Sequence, residues 1–175
     1  MDLTVNQLMR VAHLRRWHMV RTARDQTLAE HITLVQIIGL DVVARLGHDQ
    51  FLQEQVRRWA YWHDMPEVVT GDVSPPFKTM ADTRVRGIID DIECDIDRRY
   101  ESVMNATSET ALTIVKFADM LEAVLFLRDE GIGLRAAEIA LEIEIAVDRV
   151  VDEVRDETLR IALIETRRQL VRGKP

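Results

Sequence analysis

His63 and Asp64 stand side by side at the end of an aromatic run, with His31 upstream and Asp119 downstream. Two imidazoles and two carboxylates are a donor set that can hold a divalent transition metal and, through it, activate a water. Taken singly the four say little. His31 and Asp119 each read more simply as satisfied residues of an amphipathic helix, and a His-Asp dipeptide is common. The conjunction carries the signal, because Asp119 falls in a mostly apolar stretch, residues 115–125, where a carboxylate is costly to bury unless it is paired or coordinated.

These residues need elements to position them, and the pattern of the chain is helical almost throughout. It has seven glycines and four prolines in 175 residues, apolar residues recur at intervals of three and four, and no alternating β-branched runs closed by Asn-Gly or Asp-Gly turns are present. Residues 4–14 place Val5, Leu8, Val11 and Ala12 on one helical face. Thr27 followed by Glu30 is a capping-box pattern that opens a helix over 28–46, with His31 in its first turn and Gly47 ending it. A third helix is expected over 49–64, delivering His63; its Trp59, Tyr61 and Trp62 read as core. Pro66 suits the first turn of a short helix closed by Gly71-Asp72, and Ser74-Pro75-Pro76 is a rigid connector. Helical register returns over 80–104 and breaks at 105–107, and Ser108 caps a helix that carries Lys116 and Asp119 as far as Gly131-Ile132-Gly133. The pattern then runs unbroken from 134 to 170, a length that implies packing against another subunit and hence a homo-oligomer, a dimer or a hexamer.

Bulk properties narrow the function. A chain of this length builds one sizeable core, so 1–175 is expected to be a single domain. A net charge of -7 argues against a nucleic-acid polymer as partner, since phosphate backbones are gripped by positive faces. One cysteine, Cys94, precludes an intramolecular disulfide and reads as a small apolar residue rather than a nucleophile. With no basic leader and no apolar run of membrane length, a cytoplasmic protein without a membrane partner is expected.

The ordered set Arg16-Trp17, Glu30-His31, His63-Asp64 with Glu67 three residues on, Thr70-Gly71-Asp72, and Lys116 to Asp119 resembles the HD-superfamily phosphohydrolases, and within them the 5'-deoxynucleotidase-like branch, over about the first 125 residues. The resemblance implies an all-α fold, a single HD-domain helical bundle with long C-terminal helices. It implies that His31, His63, Asp64 and Asp119 hold one divalent metal, zinc, cobalt or manganese, and that Glu67 orients the nucleophile or hands a proton to the leaving oxygen. From the residues alone Glu67 would read as a helix-end carboxylate. Arg16 would fork onto a phosphate and Trp17 would cover the sugar or stack beside a base, against the plainer reading of a basic helix end beside a core tryptophan. Met19 would line a base pocket, Asp72 would accept the 3'-hydroxyl and exclude a 2'-hydroxyl, and Lys78 and Lys116 would neutralise a polyphosphate tail.

In its small size the chain is similar to the phage dATP triphosphohydrolases of viruses with 2-aminoadenine in their DNA. That likeness implies hydrolysis of dATP to deoxyadenosine and triphosphate in the host cytoplasm, with a second ion such as magnesium accompanying the triphosphate. A 5'-deoxynucleotidase acting on monophosphates is the alternative within the family. A silent nucleotide-binding HD protein or a purely structural oligomer fits the complete ligand set less well.

Overall fold

The computed structural model describes residues 2–72 and 83–172, and every named element among them is helical. Helix α1 (Val5–Leu8) runs into a 3-10 turn (Met9–Ala12), then follow α2 (Leu28–Arg45), α3 (Gln50–Trp62) and the one-turn α4 (Glu67–Thr70). After the undescribed stretch come α5 (Thr83–Ile96), α6 (Arg98–Ala106), α7 (Glu109–Glu130), α8 (Leu134–Glu153) and α9 (Glu157–Arg172). Two isolated bridges, Arg15 with Thr27 and Thr22 with Gly131, are the strand-like pairings among the described residues.

Short polar side chains start the helices. Thr27 Oγ1 accepts the Glu30 N–H at 3.2 Å, Asp49 Oδ1 accepts the Phe51 N–H at 2.9 Å, and Ser108 Oγ accepts the Ala111 N–H at 3.3 Å. The return half of the Thr27 box is replaced: Glu30 binds the Arg24 guanidinium instead, at 2.6 and 2.9 Å. A full capping box does form at Thr4 with Gln7, at the head of a segment that tightens to 3-10 geometry after Leu8 rather than continuing as α-helix to residue 14.

Two long helices expected from periodicity are broken. The stretch 80–104 divides at Asp97, whose extended backbone and carboxylate cap α6 through the Arg99 N–H at 2.9 Å. The stretch 134–170 divides at 154–156, where Asp156 Oδ1 accepts the Thr158 and Leu159 N–H groups and restarts the chain as α9. Helix α9 then folds back on its own α2, where Thr166 Oγ1 donates to Asp41 at 2.7 Å and Arg45 Nε reaches Thr166 at 3.0 Å. The inference of a partner subunit from the length of an unbroken helix therefore loses its basis.

Helices α2, α3, α7, α8 and α9 share the main core, with Val35, Val56, Ile114, Phe117, Leu121 and Leu163 all under 2% exposed. Gly39 lets α3 come close, since a Cβ there would meet Val56 Cγ1 at 2.9 Å. A second cluster packs Leu3, Leu28, Met65 and Ile96 beside α4, and a third gathers Trp17 with Phe126, Leu127 and Ile139. No described helix is long and apolar enough to cross a membrane.

Candidate functional site

His31 sits in the first turn of α2, His63 and Asp64 follow the last residue of α3, and Asp119 lies midway along α7. One donor atom from each of the four lies within 4.8 Å of all the others. His31 Nε2 is 3.2 Å from Asp119 Oδ1 and 3.3 Å from Asp64 Oδ2, and His63 Nε2 is 3.4 Å from the same Asp64 oxygen. Both Nε2 atoms are buried without a hydrogen-bond partner, so these are close approaches without hydrogen-bond geometry.

The other ring nitrogens explain why. His63 Nδ1 is 2.7 Å from the Ala60 carbonyl, which only accepts, so His63 carries its proton there and keeps a lone pair on Nε2. His31 Nδ1 is 2.6 Å from Glu122 Oε2, the carboxylate-to-imidazole arrangement that turns the far nitrogen toward a metal. Burial and Arg16 act against a charged His31, yet the carboxylates of Asp119, Asp64 and Glu122 outweigh them and raise its pKa well above the usual value. Burial raises the Asp64 carboxyl too, but His63, His31 and Arg16 hold it well below the usual range, and Asp119 is lowered for a related reason. The pocket thus favours positive charge where the two Nε2 atoms meet two carboxylates, and these donors fit a divalent ion of the zinc type.

Arg16 borders the cluster. Its Nη1 donates to Asp64 Oδ2 at 2.8 Å, and its Nε is buried without a hydrogen-bond partner. Burial acts against the guanidinium charge, but Asp64, Asp119, Glu67 and Asp72 around it hold the group firmly protonated. Glu67 and Asp72 are thus among the carboxylates whose charge reaches Arg16. Glu67 opens α4, is 5% exposed, and its N–H bonds the Asp64 carbonyl at 3.1 Å. Asp72 follows the left-handed Gly71 and lies 3.6 Å from His18 Nδ1.

Trp17, Met19 and Lys116 are not among the four converging residues. Trp17 is 9% exposed, its ring lies parallel to Phe126 at a centroid distance of 6.0 Å, and its N–H is taken by Gln26. Expected to cover the sugar or stack beside a base, it is largely buried, with the Arg16 guanidinium 5.9 Å from its ring. Met19 is 67% exposed just past it. Lys116 is exposed and lines a cavity of about 650 Å³ between the start of α7 and the α8–α9 junction, which none of the four cluster residues lines. Lys78 lies outside the described residues. Sequence reasoning missed Glu122 and Gln26; their burial at 2% and 0% becomes visible only when α7 and the 13–27 segment come together.

An all-α fold that converges a His, a His-Asp pair and a distant Asp on one point defines the metal-dependent HD phosphohydrolases. The chain belongs to the 5'-deoxynucleotidase YfbR-like family, whose model matches residues 5–130. A dATP triphosphohydrolase of Acinetobacter phage SH-Ab 15497 is 32% identical over 142 residues, covering 74% of this chain and 68% of the relative. That of cyanophage S-2L is 32% identical over 149 residues, covering 85% and 83%. Among solved structures, the cyanophage S-2L HD phosphohydrolase DatZ, bound to dA and one catalytic zinc ion, superposes with a TM-score of 0.91 at 26% identity over 99% of this chain and all of that one.

Proposed function

We propose that this protein hydrolyses dATP at the α-phosphorus, yielding deoxyadenosine and triphosphate. The observation that carries the reading is the convergence of the two buried imidazole Nε2 atoms with Asp64 and Asp119. Relatives bearing the name dATP triphosphohydrolase match across most of the chain and support the substrate. A divalent metal held by His31, His63, Asp64 and Asp119 would acidify a water and polarise a phosphoryl oxygen. Arg16, whose Nη1 donates to Asp64, would fork its remaining N–H groups onto the α-phosphate. Glu67 would take the proton that the attacking water loses and hand it to the 5'-oxygen as its bond to phosphorus breaks, and the water oxygen leaves with the triphosphate. Asp72 accepts the 3'-hydroxyl, and Met19, Lys78 and Lys116 are left to the base and the outer phosphates. A small deoxynucleotide rather than a nucleic-acid polymer suits the net charge of -7.

The name of the family model and a 5'-deoxynucleotidase of Klebsiella pneumoniae, 26% identical over 134 residues, favour a second reading, conversion of deoxynucleoside monophosphates to nucleoside and phosphate. One experiment separates them: each dNTP and dNMP incubated with zinc, cobalt or manganese and the products resolved by ion-exchange chromatography. Free triphosphate from dATP is the expected product. Orthophosphate released from monophosphates alone would move the assignment to the second reading, and equal use of ATP and dATP would remove Asp72 from the sugar site.

A further inference from the structure

Trp17, Gln26, Glu122 and His31 form one continuous chain of hydrogen bonds whose direction is forced by its first member. An indole N–H only donates, so at 2.8 Å it makes Gln26 Oε1 the acceptor and turns the amide nitrogen toward Glu122 Oε1, 2.6 Å away. Glu122 takes that N–H on one oxygen, and its other oxygen lies 2.6 Å from His31 Nδ1. With Glu122 accepting on both oxygens, His31 donates from Nδ1, and the ring is held with Nε2 turned toward Asp64 and Asp119. No link is open to competing water: Trp17 is 9% exposed, Glu122 2%, and Gln26 and His31 0%.

The same glutamine holds the backbone of the segment that carries Arg16. Its carbonyl accepts the Arg16 N–H at 2.9 Å, while Leu28 N–H bonds the Leu14 carbonyl at 2.9 Å. Trp17 is also held at a φ of 65°, a left-handed conformation uncommon for a bulky residue and persisting where surrounding contacts over-determine it. At its far side the segment is tied to the end of α7 through Ala23 N–H to the Glu130 carbonyl at 2.7 Å and Arg24 to Glu130 at 2.9 Å.

We propose that Gln26 and Glu122 are positioning residues that couple metal occupancy at His31 to the order of the 13–27 segment, so that filling the cluster fastens Arg16 in place. A metal on Nε2 fixes the ring in one orientation with Nδ1–H on Glu122, and a hydrogen-bonded chain transmits that constraint through its successive links. Linkage makes the effect reciprocal: whatever fastens the segment tightens the metal. The inference rests on the reading of the cluster as a metal site, and its test keeps the two separable.

The test is hydrogen–deuterium exchange by mass spectrometry on the full chain with and without zinc, alongside zinc affinity from chelator competition. In the unaltered protein zinc should slow exchange in peptides spanning 13–27 several-fold. Trp17→Phe keeps an aromatic ring against Phe126 while removing the N–H together with part of the indole; Gln26→Leu removes the middle link. Both should abolish the zinc-dependent protection of 13–27, and Glu122→Gln should in addition weaken zinc roughly 10- to 100-fold, the usual effect of losing such a partner. Exchange in the apolar half of α2 should match the unaltered protein in all three, and should Gln26→Leu fail to fold, Trp17→Phe decides alone. Zinc binding that leaves 13–27 unchanged, or full coupling in Trp17→Phe, overturns this inference and leaves the metal site standing. Absence of zinc binding in the unaltered protein overturns both.

Discussion

Helices α2 and α7 run antiparallel, and the two ends of their contact are built on opposite principles. At one end Gly39 and Val42 of α2 meet α7 near Ile114 in a wholly apolar core, while at the other, two or three turns away, His31 faces Asp119 and Glu122. Each buried aliphatic side chain in the apolar half contributes about 1.5–3 kcal/mol through area removed from water, with no preferred direction. At the other end, buried polar groups are tolerable only because each donor has an acceptor or faces the cluster, so direction matters more than volume. One helix pair therefore links the apolar core to the polar cluster, and substitutions at the two ends should fail in different ways.

The largest effect should come from breaking the polar end. His63→Ala or Asp64→Ala removes one of four metal donors, and the expected result is loss of bound zinc together with turnover, measured by metal analysis and product chromatography on the same sample. Full zinc occupancy in either variant would show that the ion sits elsewhere. Glu67→Gln should differ in kind: zinc stays and turnover falls about 10²–10⁴-fold, the usual share of a proton-transferring group. Retained turnover would assign the proton to another residue.

The apolar end should respond in stability alone. Leu163→Ala, in a fully buried side chain, should lower unfolding free energy by about 2–5 kcal/mol in urea titration while zinc affinity per folded molecule is kept. Gly39→Ala is a sharper probe, because the new methyl meets Val56 at 2.9 Å; the expected loss is about 1–3 kcal/mol from overpacking. A neutral or stabilising result would mean that α3 can withdraw without penalty.

Asp97 refines the comparison, being a buried carboxylate that serves structure. It accepts the Leu3 N–H at 2.9 Å and binds Arg99 across 2.5 Å. Burial works to raise its pKa, but the Arg99 hydrogen bond and the backbone N–H groups of Leu3 and Arg99 hold it down at about 2. The unfolded chain titrates nearer 3.9, so the contribution is complete above that value and is lost as pH falls toward 2. Because Arg99 is partly exposed, the effect should be only about 1 kcal/mol. The stability gap between the metal-free protein and Asp97→Asn should accordingly narrow from pH 5.5 to pH 3, and a constant gap would show that the pair does not titrate as described.

Much was legible in the chain alone. The candidate ligands could be read because their types are chemically restrictive and their order is distinctive, and the starts of α2 and α7 could be read because Thr27 and Ser108 cap them within three residues. The breaks at Asp97 and Asp156 were equally local, but hydrophobic periodicity runs through both, and a capping Asp inside a charged amphipathic stretch looks like one more solvated acid. The surroundings of Trp17 could not be read, because an Arg-Trp pair offers no sign that Phe126, from the far end of α7, will lie parallel to the ring.

Residue types and short-range spacing determined by themselves that the chain is helical, where most helices begin, and which four side chains can hold a metal, since these depend on chemistry expressed over a few residues. Tertiary structure decided the rest. It folded α9 back onto α2 and set Lys116 beside a cavity that the metal cluster does not share. It also joined Gln26 to Glu122 across 96 positions of sequence. A glutamine and a glutamate are ordinary surface residues until packing removes the water around them, and only then does each hydrogen bond have to be made in one direction.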